Sequence, residues 1–115
     1  MKYIIIEDER LAYEALKRLM ERLRPDWQLA GRAYDVSEGA RLLREKDVDF
    51  LLSDIRLSDG TCFDLFDQVD TDLPVIFTTA YNNFAAEAFR QNGIDYLLKP
   101  IGEADLGAAL LKLEQ

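Results

Sequence analysis

Short apolar runs alternate with segments of helical periodicity along the whole chain. The apolar runs predict five strands, at residues 2–6, 28–34, 49–53, 75–79 and 94–98. The segments between and after them place apolar side chains three and four positions apart, which predicts helices at residues 9–24, 37–46, 62–69, 83–92 and 103–114. Strands that alternate with helices in this way form a parallel sheet, so the pattern predicts an α/β fold of the (βα)5 type with helices on both faces.

Local signals mark the ends of several elements. Ser37 is the predicted N-cap of the second helix, and Asn92 followed by Gly93 predicts the end of the fourth. The sequence Ser58-Asp59-Gly60 has turn chemistry. Aromatic residues fall at spacings that predict core positions, namely Phe63, Phe66, Phe77, Phe84 and Phe89.

Four of the predicted strands end in polar residues. Glu7 and Asp8 follow the first strand, and Asp54 follows the third. In a flavodoxin-like sheet of order 2-1-3-4-5, strands 1 and 3 are neighbours, and ligands bind beyond their carboxyl ends. Three carboxylates placed close together repel one another unless a cation neutralises them. Hard oxygen ligands suit Mg²⁺ or Mn²⁺, so the pattern predicts a divalent cation site here.

The other two strand ends add groups that contact anions. Thr79 offers a hydroxyl donor, and Lys99 offers a compact positive charge that can hold an anion against Asp54. Pro100 fixes the turn after Lys99, and a cis peptide is one way for it to do so. Acids, a hydroxyl and a lysine at one edge of a sheet predict a site for a divalent cation and a phosphoryl group.

Composition narrows the classes of function. The 115 residues fit one domain, and 49% of them are hydrophobic, enough for a core. With 22 acidic and 14 basic residues the net charge is −8, which argues against direct binding to nucleic acid. The chain has no histidine, so it lacks the commonest general base and zinc ligand, and its single cysteine fits a reducing compartment. Without a signal peptide or a long apolar stretch, it is expected to be a soluble cytoplasmic protein with no membrane contact.

At this point the strand-end motifs carry a resemblance. With Glu7-Asp8, Asp54, Thr79-Ala80 and the run 96–100 (Tyr-Leu-Leu-Lys-Pro), the chain resembles receiver domains of bacterial two-component response regulators over its whole length. The segments at 7–12, 77–81 and 95–100 are similar to the subgroup whose output is a LytTR-type DNA-binding domain. No such output domain is present in residues 1–115. The resemblance therefore implies a fragment of a longer protein that controls transcription.

The resemblance implies a role for each strand-end residue. Asp54 would be the phosphoacceptor, and the phosphoryl group would come from the phosphohistidine of a sensor histidine kinase. Mg²⁺ would be held by Glu7, Asp8 and Asp54, with the backbone carbonyl of Arg56. Lys99 would pair with the phosphoryl oxygens. The domain would be a switch and not an enzyme, apart from slow self-dephosphorylation.

The resemblance also implies how the switch responds. Thr79 would swing toward the phosphoryl group, and Tyr96 would rotate inward to fill the space left behind. The face built from the fourth predicted helix, the fifth strand and the last helix would then change its partner preference and form a homodimer. A modification that adds about −1.5 to −2 charge beside a cation is able to bias such a two-state element.

Two features set this chain apart within the family, the loop after Asp54 and the pair Arg56 and Tyr81. The usual loop after the phosphoacceptor carries Met-Pro and reaches its glycine two residues later than Gly60 does here, so the loop geometry is expected to differ. Arg56 and Tyr81 lie two residues after Asp54 and Thr79, where side chains in the family influence water access to the acyl phosphate. We predict that the bulky Tyr81 slows self-hydrolysis.

Three alternative functions are open from the sequence. A Mg²⁺-dependent aspartyl phosphatase would place a second acid two residues after the nucleophile, where this chain has Arg56. A nucleotide- or flavin-binding module would need a glycine-rich loop after the first strand, where this chain has acids. A receiver-like interaction domain that is not phosphorylated tends to lack part of the acid, threonine and lysine set. Mg²⁺-dependent phosphoryl uptake by Asp54 distinguishes these readings.

Overall fold

The structure is a computed structural model that describes residues 1–81 and 93–115. Its main sheet has five parallel strands, β1 Lys2–Ile6, β2 Gln28–Ala33, β3 Phe50–Ser53, β6 Val75–Thr79 and β7 Gly93–Leu98. Their spatial order is β2-β1-β3-β6-β7. Once the small hairpin of β4 and β5 is set aside, this is the predicted order 2-1-3-4-5, and the predicted flavodoxin-like (βα)5 class is confirmed.

Four helices lie in the described part of the chain, α1 Arg10–Leu23, α2 Val36–Glu45, α3 Cys62–Gln68 and α4 Glu103–Leu113. Their ends and those of the five strands fall within one residue of the predicted ends. The helix predicted at 83–92, its end at Asn92, and Phe84 and Phe89 lie outside the described residues. Within residues 1–81 and 93–115, no helix combines the length and apolar composition needed to cross a membrane.

The two faces of the sheet bury two separate cores because strand side chains alternate in direction. On one face Ile5, Leu52 and Ile76 pack against α1 and α4. On the other face the neighbouring strand residues pack against α2 and α3, together with Phe63, Phe66 and Phe77. In the described part of the chain, helices therefore cover both faces of the sheet, and the carboxyl ends of the strands lie at the edge between the two helical layers.

The segment after Asp54 folds as a hairpin, whereas the sequence pattern predicts only a turn there. Strands β4 Arg56–Leu57 and β5 Gly60–Thr61 pair antiparallel around Ser58 and Asp59. Gly60 adopts φ 148°, and a Cβ at this position would lie 2.4 Å from the Asp64 Oδ2 atom. Glycine is therefore required there. The short loop after Asp54 is therefore a hairpin of two paired strands.

The N-terminus of α2 corrects the predicted cap. Ser37 is not the N-cap; Asp35 is, and its Oδ1 accepts a hydrogen bond from the backbone N–H of Glu38 at 2.8 Å. Asp59, from the hairpin, accepts hydrogen bonds from the N–H groups of Val36 at 2.8 Å and Ser37 at 3.2 Å. Two carboxylates thus satisfy the free donors of the first turn, and Ser37 lies inside the helix. The bonds from Val36 and Ser37 hold the pKa of Asp59 below its usual range.

Candidate functional site at the carboxyl edge of the sheet

Backbone hydrogen bonds bring the polar strand ends together. The N–H of Asp54 donates to the carbonyl of Ile6 at 2.8 Å, which continues the pairing of β1 and β3 past their ends. The N–H of Lys99 donates to the carbonyl of Thr79 at 2.8 Å and does the same for β6 and β7. The N–H of Ile55 donates to the Oδ1 atom of Asp54 at 2.7 Å and orients that carboxylate. The sheet itself therefore positions the site.

Three carboxylates meet at this edge. Glu7 is 1% exposed and Asp54 is 7% exposed, whereas Asp8 is exposed. One carboxylate oxygen from each residue lies within 4.8 Å of the others. A set of hard oxygen donors that is open to water on one side fits Mg²⁺, which keeps several waters when it binds to proteins. The residues present therefore fit the cation predicted from the sequence.

Lys99 lies between the two buried acids. Its Nζ is 2.6 Å from the Oε1 atom of Glu7 and 2.8 Å from the Oδ2 atom of Asp54. Burial alone would lower the pKa of Lys99, but the hydrogen bonds to Asp54 and Glu7 outweigh it and raise the pKa, so the ammonium is charged. The peptide bond from Lys99 to Pro100 is cis, one of the turn geometries that the sequence allows.

The pKa of Glu7 shows that burying its negative charge at this site is unfavourable. Burial raises its pKa to about 7, the hydrogen bond from Lys99 opposes this increase, and the charge of Asp54 adds to it. Two buried carboxylates share one ammonium, so the site carries excess negative charge. A further cation would offset that excess.

The predicted switch residues Thr79 and Tyr96 both contact Tyr81. Thr79 is fully buried, and its Oγ1 accepts a hydrogen bond from the N–H of Tyr81 at 3.3 Å. The hydroxyl of the half-buried Tyr96 donates to the carbonyl of Tyr81. The guanidinium of Arg56 lies over the Tyr81 ring, 4.6 Å from its centroid. Tyr81 thus connects the strand end of β6, the edge strand β7 and the loop after Asp54.

The sequence pattern predicts no role for Arg32, and for Asp59 it predicts only a place in a turn. Arg32 donates hydrogen bonds to the carbonyls of Glu7 and Asp8, and Asp59 caps α2. A single arginine on a strand and an aspartate in a turn are ordinary features, and their partners lie more than 20 residues away along the chain. No local sequence pattern predicts either contact.

Comparison with known proteins places the chain in a family. The family model described as the response regulator receiver domain matches residues 3–111. The chain belongs to this family. The receiver domain is 34% identical over 119 residues to the sensory transduction protein LytR of Streptococcus agalactiae, and the match covers the whole chain and 48% of that relative. It is 31% identical over 117 residues to the transcriptional regulatory protein BtsR of Escherichia coli, with the whole chain and 48% of BtsR covered.

Solved structures agree with the sequence comparison. The crystal structure of the response regulatory domain of mrkE from Klebsiella pneumoniae matches with a TM-score of 0.88 and 31% identity, covering 99% of this chain and 95% of that one. The resemblance predicted from the strand-end motifs is confirmed, and the chain is a receiver domain of a two-component response regulator. Such domains are signalling switches. The receiver domain spans about half the length of the curated relatives it matches.

Proposed function

We propose that this receiver domain is a switch activated by phosphorylation, in which Asp54 accepts a phosphoryl group from a histidine kinase in a Mg²⁺-dependent reaction. The observation that carries this proposal is the grouping of Asp54 with Glu7, Asp8 and Lys99 at one edge of the sheet. A carboxylate flanked by a cation site and a fixed ammonium is suited to phosphoryl transfer, where positioning and charge stabilisation supply most of the catalysis.

Asp54 supplies the nucleophile. One of its carboxylate oxygens attacks the phosphorus of the phosphohistidine, so a P–O bond forms while the P–N bond breaks and its electron pair stays on the imidazole nitrogen. The product is an acyl phosphate on Asp54. The hydrogen bond from Ile55 to Asp54 Oδ1 holds the carboxylate in one orientation, which reduces the entropy lost in reaching the transition state.

The surrounding charges complete the site. The oxygens of Glu7, Asp8 and Asp54, with the carbonyl of Arg56, would hold Mg²⁺, which when bound supplies positive charge to the phosphoryl oxygens. Lys99 exchanges its bond to Asp54 for bonds to the phosphoryl group and keeps the ammonium next to the new anion. The exposure of Asp8 leaves one side of the site open to the donor.

The response passes through Tyr81. The Thr79 hydroxyl leaves the N–H of Tyr81 and turns toward the phosphoryl group, and Tyr96 then gives up its bond to the Tyr81 carbonyl and moves inward. This movement alters β7 and its neighbours. The exposed Leu98 on β7 and Leu111 on α4 belong to the face that we propose as the partner and homodimer surface, together with the helix predicted at 83–92.

The whole protein extends this role to transcription. The names of its relatives, a sensory transduction protein and a transcriptional regulatory protein, support an output of this kind. We place the output in a LytTR-type DNA-binding domain outside these 115 residues. The receiver domain itself, with its net charge of −8, does not bind nucleic acid directly.

The test is phosphoryl uptake from a small donor. The wild-type domain, Asp54→Asn and the matched control Asp59→Asn are incubated with acetyl phosphate and Mg²⁺, with and without a chelator, and their intact masses are recorded. We expect wild type and Asp59→Asn to gain one phosphoryl group only with Mg²⁺, and Asp54→Asn to gain none. If no protein gains mass, the domain is a receiver-like interaction domain without phosphorylation. If Asp54→Asn gains as much as wild type, Asp54 is not the acceptor.

A further inference from the structure

We infer that Arg32 is a positioning residue for the cation site, holding the backbone of Glu7 and Asp8 so that their carboxylates face Asp54. This inference rests on the proposed function, because it assigns a task to Arg32 within that site. Arg32 lies on the edge strand β2, opposite Ile5 of β1. It is half-buried, and its guanidinium reaches across the end of β1.

The guanidinium contacts two successive carbonyls of the loop. Its Nη2 atom donates to the carbonyl oxygen of Glu7 at 3.1 Å and to that of Asp8 at 3.5 Å, and its Nε donates to the Glu7 oxygen at 3.4 Å. A planar guanidinium has fixed donor directions, so it specifies the orientation of both peptide groups in a way that an ammonium does not. The orientation of these peptides sets where the two side chains point.

A second contact fixes the guanidinium itself. Arg32 lies over the ring of Tyr13 on α1, 4.4 Å from the ring centroid. A cation over an aromatic face is attracted to it. The N–H of Tyr13 donates to the carbonyl of Glu9, and the N–H of Glu9 donates to the Oε2 atom of Glu7. Arg32 therefore joins β2, the loop after β1 and the first turn of α1 into one unit around Glu7.

The hydrogen-bond partners of Arg32 distinguish two roles, positioning the loop after β1 and balancing the charge of the acids. Among residues 1–81 and 93–115, every hydrogen bond that the Arg32 side chain donates goes to a backbone carbonyl, and none goes to a carboxylate. The acid oxygens stay available for a cation. A positive charge near a cation site opposes binding by Coulomb repulsion, so removing Arg32 would tighten binding if charge were its only effect. If Arg32 positions the acids, removing it weakens binding.

The two effects have opposite signs, and a metal titration distinguishes them. Mn²⁺ is the probe, and its binding is followed by the loss of the electron spin resonance signal of the free ion. We expect Arg32→Met to weaken Mn²⁺ binding by about tenfold, the lower end of the range for residues that orient metal ligands. Arg32→Lys keeps the charge but not the planar fork, so we expect it to weaken binding too. Wild-type or tighter affinity in Arg32→Met overturns the inference.

A matched control tests the change in net charge. Arg22→Met removes an arginine at the other end of α1, where Arg22 pairs with Glu103 at 2.8 Å. We expect it to bind Mn²⁺ like wild type. Circular dichroism and thermal unfolding in chelator show which variants fold. Should Arg32→Met fail to fold, Arg32→Lys and Tyr13→Leu decide the question, and unchanged Mn²⁺ affinity in both overturns the inference.

The outcomes also separate this inference from the proposed function. Weaker Mn²⁺ binding in the Arg32 variants supports the positioning role even where Asp54 takes up no phosphoryl group. Normal phosphorylation of the wild type with unchanged Mn²⁺ affinity in Arg32→Met overturns the positioning role alone. If the wild type does not bind Mn²⁺, both fail.

Discussion

The amino and carboxyl ends of β1 and β3 differ in the kind of side chain that they bury. At the amino ends, the rings of Tyr3 and Phe50 stack with centroids 5.4 Å apart, and Trp27 meets Phe50 edge-on at 5.6 Å. At the carboxyl ends, the same strands present Glu7 and Asp54. Tyr3, Phe50, Glu7 and Asp54 are all buried, but the first two bury aromatic rings and the last two bury carboxyl groups.

The difference shows that stability and chemistry are separated along the strands. Burying aromatic rings stabilises the fold, and aromatic pairs add to that. Burying two carboxylates opposes folding unless partners compensate, and here Lys99 is the partner that contacts both acids. The amino end therefore has to stabilise a fold whose carboxyl end is shaped for ligands. This division is expected where a functional site departs from local rules for stability.

The largest effect on stability is expected at the amino end. Phe50→Ala removes a fully buried ring and leaves a cavity beside Tyr3 and Trp27. We expect a loss of about 3 to 5 kcal/mol in the free energy of unfolding, measured by urea denaturation with Trp27 fluorescence as the reporter. At a temperature where the variant is folded, phosphoryl uptake by Asp54 should persist. A loss below about 1 kcal/mol would show that the amino end is not the stabilising end.

At the carboxyl end, Lys99→Met leaves Glu7 and Asp54 without their shared cation. We expect a loss of about 2 to 3 kcal/mol in chelator, less than for a fully buried pair because 24% of the Lys99 side chain is exposed. Adding Mg²⁺ should restore part of that loss, because the metal neutralises the same acids. Thermal or urea unfolding with and without Mg²⁺ measures both effects.

The control for Lys99→Met is Lys112→Met. Lys112 pairs with Asp95 at 3.0 Å, but 57% of its side chain is exposed. An exposed pair contributes about 0 to 1 kcal/mol, and Mg²⁺ should not alter the effect. Equal losses of stability in the two lysine variants would contradict a special role for Lys99 beside the buried acids. A Lys99→Met variant as stable as wild type in chelator would contradict it as well.

The hairpin after Asp54 contributes a smaller effect. Asp59→Ala removes the acceptor for the N–H groups of Val36 and Ser37, so we expect a loss of about 1 kcal/mol, measured by urea unfolding at pH 7. Asp67→Ala, which removes an exposed acid from α3, should change stability little. Equal losses in the two variants would argue against the capping role.

The capping effect also has a defined pH dependence. The folded pKa of Asp59 lies below its ordinary value of 3.8, so the stability it adds is fully present above that value and is lost as the pH falls through the folded pKa. The difference between wild type and Asp59→Ala should therefore stay constant from neutral pH to well above 3.8 and shrink only in stronger acid. A difference that already shrinks near neutral pH would point to another group.

The smallest effect on stability is expected at Tyr81, where the effect on chemistry is kinetic. Tyr81 is 45% exposed and carries the Arg56 guanidinium over its ring. We expect Tyr81→Ala to lose phosphate from Asp54 severalfold faster than wild type, because water reaches the acyl phosphate more easily. Phosphate release after removal of the donor measures the rate. Tyr34→Ala, at another exposed tyrosine, is the control. If Tyr81→Ala releases phosphate no faster than wild type, Tyr81 does not shield the acyl phosphate.

The sheet and its acidic edge were predictable because their signals are local. An apolar run followed at once by acids predicts a buried strand and also the acidic side chains at its carboxyl end. This is the case for β1, which is followed by Glu7 and Asp8. The strand order then brings Lys99 next to Glu7, although 92 positions separate them. Because ligands bind beyond the carboxyl ends of the strands in a parallel sheet, the separate strand-end signals predict a single three-dimensional site.

The contacts that the sequence did not reveal depend on side chains from distant elements. Ser37 is a reasonable local cap, but Asp35 lies at the right backbone position and Asp59 reaches the same helix end from the hairpin. The strands of that hairpin have two residues each, too short to show an alternating pattern. Arg32 reaches Glu7 and Asp8 only once β2 lies beside β1.

The most direct test of the central claim is to locate the phosphoryl group. The wild-type domain is phosphorylated with acetyl phosphate and Mg²⁺ and then reduced with borohydride, which converts an acyl phosphate on aspartate into the alcohol homoserine. Peptide sequencing by mass spectrometry then finds the converted position. Homoserine at position 54, absent when Mg²⁺ is chelated, is the predicted result. Homoserine at another acid, or conversion of Asp54 that does not depend on Mg²⁺, would contradict it.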